Sequence, residues 1–275
     1  MHFLGFNVVQ ILWTLTFAAL LVLLVVLLGR DRARRFPWFT ASMVLTALRL
    51  LSSRMLYGRL APLTMNQIFI TLAAVEALVT LLVAVEIARR AFAGASRRAW
   101  INGTLALLSI SAAVLIVWGP WPAWKTLTVD STLAVLRLVQ FFAQKASLLS
   151  DLLTVELGLL AVLIGRRFQA GWRSHTQQIV IGLSTAAIAQ MAVRSIWQQI
   201  ALHAAPQTQA EYEKVLGIQE KLYNASSVLF LAVLVWWIVC LWINEPGTEA
   251  PVAVEAVEAV ESAEMADEIQ PAEEK

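Results

Sequence analysis

Met1 to Gly29 reads MHFLGFNVVQILWTLTFAALLVLLVVLLG, and Arg30 to Arg35 follows as RDRARR. The first run holds no Asp, Glu, Lys or Arg, and it is longer than the roughly 20 residues that cross a hydrocarbon core. Inside lipid, backbone N–H and C=O groups find no water. The segment must therefore satisfy them internally, as a helix. The arginine block then marks a membrane surface. A cleaved secretory leader begins with basic residues and ends at a small-residue site. Met1 to Gln10 has no Lys or Arg, so the run reads as an uncleaved anchor.

Similar apolar stretches lie at about 36–57, 66–88, 100–119, 146–165, 177–202 and 222–243. The chain of 275 residues is 59% hydrophobic, with mean hydropathy +0.69. Soluble domains run about 45–50% apolar. The expected fold class is all-α: a polytopic membrane protein with a seven-transmembrane-helix bundle over 1–244 and an acidic, disordered cytoplasmic tail over 245–275.

Basic residues in short connections orient such a bundle. Arg30, Arg32, Arg34, Arg35, Arg89, Arg90, Arg97, Arg98, Arg166, Arg167 and Arg173 fall on one side. The other side has Arg59, Lys125, Arg137, Lys145, Lys214 and Lys221. The denser set is expected to be cytoplasmic, which puts the N-terminus out and the C-terminus in. Indoles favour the headgroup level. Trp38, Trp100, Trp172 and Trp242 fall near the proposed inner surface, and Trp118, Trp121, Trp124 and Trp197 near the outer one. Trp13, Trp236 and Trp237 are placed deeper, as packing residues.

The lone Cys240 excludes an internal disulfide and a CxxC motif. His2, His175 and His203 fall near segment ends and form no spaced pair within a helix, as a haem or metal bundle needs. The last segment has no central lysine for a retinal Schiff base. No metal and no cofactor is expected, and nothing points to nucleic acid.

Two regions depart from a plain bundle. In Ser131–Lys145, Arg137, Gln140 and Gln144 form a polar stripe at helical spacing, beside Leu133, Leu136, Leu138, Phe141 and Phe142. The fifth segment therefore starts outside the bilayer, either projecting or lying on the surface. From Glu245 to Lys275 there are ten acids and one base, whereas the rest of the chain has nine acids and twenty bases. The tail repeats Val-Glu-Ala every three residues, a period that does not match a helix. Pro246, Pro251 and Pro271 interrupt it further. It is either simply solvated or docked on the cytoplasmic arginines, displaceable by a partner protein or anionic lipid.

Charge at membrane depth costs at least about 2.5–3.5 kcal/mol per residue. Counting along the segments places Glu76 and Glu156 near mid-membrane and Asp151 and Arg194 in the outer third. Arg49 falls in the outer half, with Arg54 beyond it. Gln190 and Gln198 flank Arg194 at i−4 and i+4, on one helix face. Tyr223 and Asn224 open the last segment at a similar level. The inner half is bare of charge except Glu86, which a local pair with Arg89 or Arg90 explains. The candidate site is therefore Arg49, Glu76, Asp151, Glu156, Gln190, Arg194 and Gln198. These residues either hold helices in register as ion pairs or line a cavity that receives a small polar ligand from outside. A third reading makes Glu76 and Glu156 proton carriers.

Phe36-Pro37-Trp38-Phe39-Thr40-Ala41 after the arginine block, Glu86-Ile87-Ala88-Arg89-Arg90, and Gly171-Trp172-Arg173-Ser174 leading into Ile179-Val180-Ile181-Gly182 resemble a group of small, stand-alone, uncharacterised bacterial seven-helix inner-membrane proteins. The likeness covers roughly 7–243. It implies the architecture and a bacterial cytoplasmic membrane, and it hands over no catalytic or binding residue. The layout is also similar to the seven-helix input modules of bacterial sensors, here without an output domain. The expected function is that of a receptor-like or accessory protein, without catalysis. It would bind a small ligand or a membrane partner from outside and signal through the tail and arginine loops. The alternatives are a proton-coupled or small-solute transporter using Glu76 and Glu156, and a non-catalytic membrane scaffold.

Overall fold

A computed structural model describes residues 8–56, 58–91, 96–117, 121, 131–164, 174–203 and 208–244, apart from the side chains of 97, 99, 100, 201 and 202. The described residues contain eight helices and no strand: α1 (Val8–Gly29), α2 (Arg32–Arg35), α3 (Pro37–Leu56), α4 (Pro62–Ala91), α5 (Arg97–Val117), α6 (Thr132–Ile164), α7 (His175–His203) and α8 (Gln209–Trp242). Arg166, Arg167, Arg173, His2, Trp118, Trp124, Trp172, Lys125 and the tail from Glu245 lie outside the described residues, as does Gly171.

Five helices are long and apolar enough to cross a membrane: α1, α4, most of α6, most of α7 and α8. The chain is thus a helical, multi-pass membrane protein. In α5 the apolar part, Ile101–Val117, is shorter. In α3, Arg49 and Arg54 dilute a 20-residue helix.

The helices close into a ring. In order, α1, α3, α4, α6, α7 and α8 each touch the next, and α8 returns to α1. Helix α4 also reaches across to α7, while α5 sits outside and packs chiefly on α6. The N-terminal end of α6 is continuous with its span, so Ser131–Lys145 projects as an extension rather than lying as a separate surface helix. At 1.5 Å per residue α6 and α8 are about 50 Å long, against about 40–45 Å for a bilayer with its headgroups. The polar first third of α8, Gln209–Lys221, is a second extension, whereas the sequence places the start of that segment near 222.

The apolar core is concentrated at the arginine-rich end. Leu20, Leu23 and Leu27 of α1, Phe39 of α3, Val83 of α4, Ile179 of α7 and Leu234 and Trp237 of α8 are all essentially inaccessible. Trp237 packs edge-on against Phe39, with centroids 5.0 Å apart. Gly182 of α7 lies directly beneath the Trp237 indole, leaving no room for a Cβ. Gly158 of α6 does the same for Ser184 of α7, whose hydroxyl donates to the Thr154 carbonyl at 2.9 Å. Small residues are what let helix backbones approach where lipid gives no hydrophobic drive. Trp236 does not share the packing role expected for it. It lies about 100° around α8 from Trp237 and is 45% exposed.

Candidate functional site

Helix α3 begins at Phe36-Pro37, without a Ser, Thr, Asp or Asn to cap it. Proline has no N–H to satisfy, but the next two amides do. Both donate to Glu86 of α4: Trp38 N and Phe39 N each lie 3.1 Å from Oε2. The carboxylate is buried and favourably placed at a helix N-terminus. Its other oxygen is 3.8 Å from Arg90, which stacks over Phe36 at 4.8 Å. The local pair expected for Glu86 is present, but the shorter bonds are those to α3. The signal in the sequence is an uncapped helix start paired with a stray buried acid at the same depth.

The opposite half is organised by charge. Arg49 of α3 pairs with Glu76 of α4. Arg194 of α7 reaches Asp151 of α6 at 3.1 Å, and its second terminal nitrogen donates to Ser147 at 2.9 Å and to Gln190 at 3.3 Å. Helices α4 and α6, which carry the two acids, are neighbours in the ring. The four charges therefore form one chain, Arg49–Glu76···Asp151–Arg194, that crosses four neighbouring helices. The acids sit inside, with side chains 22% and 12% exposed, and the arginines outside at 47% and 44%.

Five of the seven candidate residues, Arg49, Glu76, Asp151, Gln190 and Arg194, thus come together. Glu156 does not join them. It faces the hydroxyl of Ser111 on α5, the one fully buried side chain among those described on that helix. Five residues on from Asp151, Glu156 lies about 140° further around α6, so a shared helix does not bring the two to one side. Gln198 is one turn beyond Arg194 and half-buried, and no hydrogen bond joins it to the chain among the described residues.

Tyr223 and Asn224 line a different place. With Val9, Leu216, Gln219 and Glu220 they border a groove of about 260 Å³ between α1 and α8. A larger groove, about 460 Å³, runs between α3 and α4. Neither is lined by any of the four charged residues. In the first half of α6, Lys145 sits 4.4 Å from the Trp121 ring centre and 5.8 Å from that of Phe141.

Comparison with protein-family models, curated proteins and solved structures finds no match to this chain.

Proposed function

We propose that this is a seven-span protein of a bacterial cytoplasmic membrane, N-terminus out, of receptor-like or accessory type. It recognises a small anionic or polar molecule, or a membrane partner, through the charge chain of its outer half. Helix α3 completes a crossing with Arg49 neutralised by Glu76 of α4, and α5 supplies another. The observation that carries the reading is the exposure pattern: two arginines, each paired with a more shielded carboxylate, keep their side chains 47% and 44% exposed. A guanidinium has five donors in a planar fork suited to carboxylate or phosphate. Arg49 bonds Glu76 through Nη1 alone.

Transport fits less well. Glu76 is committed to Arg49, and the buried cluster of the arginine-rich half is mainly apolar, with Ser42, Glu86, His175, Thr176 and Gln177 as its polar members. The scaffold reading draws on a specific observation: the charges are closed into pairs, apart from both grooves.

The test is a thermal-shift screen of small carboxylates and phosphates on purified protein. A hit should be abolished by Arg194→Ala in a variant that still folds. If Arg194→Ala fails to fold while Asp151→Asn/Arg194→Gln folds and binds nothing, the pair is structural and the scaffold reading stands. Proteoliposome flux that is lost in Glu76→Gln/Glu156→Gln would instead establish transport.

A further inference from the structure

The groove between α3 and α4 begins at the arginine-rich end. Pro37, Ala41, Val44 and Leu48 of α3 form one wall and Val75 and Val79 of α4 the other. The α3 residues recur at i, i+4, i+7 and i+11, one face of a helix. From Pro37 to Leu48 that face is about 17 Å long, close to the roughly 15 Å hydrocarbon depth of a single leaflet. The lining is apolar along this length, apart from the Thr40 hydroxyl, which donates back to the Phe36 carbonyl.

The mouth is different in kind. Ala33 of α2 closes the groove there, and its neighbours in that short helix are Arg32, Arg34 and Arg35. Arg34 is 88% exposed and only loosely paired with Asp31, at 3.5 Å. Val75 and Val79 share their face of α4 with Leu82, Glu86 and Arg89 or Arg90. Glu86 and Arg90 fasten that end to α3, so the two walls are held together below the headgroup level. A basic mouth opens onto an apolar trough one leaflet deep.

We propose that this groove is a binding site for an anionic phospholipid. One acyl chain lies along α3 and α4, and the headgroup phosphate is held by the arginines of α2. Length, lining and charge each match a separate part of that molecule. A soluble anion would leave the trough empty, and a neutral lipid would not match the net positive charge of Arg30–Arg35. The proposal needs the chain to cross a membrane. It does not need the outer-half recognition site, which lies apart from the lining.

The experiment is native mass spectrometry of the full chain in detergent, with equimolar phosphatidylglycerol and phosphatidylcholine of matched chains. Phosphatidylglycerol should be retained on the order of a hundredfold better. Basic residues near anionic lipid contribute about fivefold each, so Arg32→Gln/Arg34→Gln/Arg35→Gln should reduce that retention by roughly a hundredfold. Should this variant not fold, Arg34→Gln alone should give about fivefold. Ala41→Trp fills the trough and should weaken retention of both lipids, whereas Val25→Trp, on the outward face of α1, should not. Equal retention of the two lipids by the unmodified chain, or normal retention by Ala41→Trp, would overturn the proposal. The second result would mean that the arginines act only as a diffuse surface charge.

Discussion

The two halves of the bundle are held together by different physics. At the arginine-rich end, Trp237, Phe39 and the leucines of α1 interlock over Gly182, and volume decides what fits. At the far end the interhelical contacts described between α3 and α4, and between α6 and α7, are made by Arg49, Glu76, Asp151, Arg194 and Ser147. A packed apolar seam is indifferent to ionic strength and intolerant of added atoms. A half-exposed charge chain is the reverse. A half built on replaceable ion pairs is also the one in which an outside molecule can compete for a partner, so recognition is assigned to that end.

This contrast can be broken by mutation. The largest effect is expected for Gly182→Val, which drives a branched side chain into the Trp237 indole and should cost about 3 kcal/mol or more, read as a fall in melting temperature in detergent. Next is Arg194→Ala. It strands the shielded Asp151 carboxylate and should cost about 2–3 kcal/mol. Asp151→Asn/Arg194→Gln should recover most of that loss, and a double-mutant cycle measures the coupling. Glu86→Ala orphans two α3 amides and should cost about 2 kcal/mol, with faster amide exchange at Trp38 and Phe39. Arg49→Gln should cost least, about 1 kcal/mol, because Glu76 is less shielded than Asp151. Raising salt from 0.1 to 1 M shortens the screening length from about 10 to about 3 Å. It should shrink the Arg194→Ala penalty and leave that of Gly182→Val unchanged. Equal salt sensitivity would erase the distinction between the halves.

The long apolar helices were legible in the sequence, because span length is a one-dimensional signal. Azimuth is legible only within one helix, and the partner on the next helix is not. Asp151 and Glu156 share a helix but face different neighbours, and Trp236 and Trp237 diverge for the same reason. Gln190 and Arg194, placed on one face by their i, i+4 spacing, do meet. The pairing of Arg49 with Glu76 rather than with Asp151 required the ring order, which no local pattern encodes. Glu86 was assigned only its in-helix partner, because a cap donated from another helix leaves no motif in either strip of sequence. The extension of α8 to Gln209 went unread because hydropathy ends where lipid ends, while the helix does not.

The contact between α1 and α8 has a consequence for biosynthesis. Both helices run from the far end to the arginine-rich end, as parallel neighbours that join the first and last described helices of the ring. While the ribosome is still making the middle of the chain, the flank of α1 that will receive α8 faces lipid alone. The ring is sealed by the final described helix to be inserted. Buried positions on that flank are therefore solvated by acyl chains for most of the time the polypeptide takes to emerge.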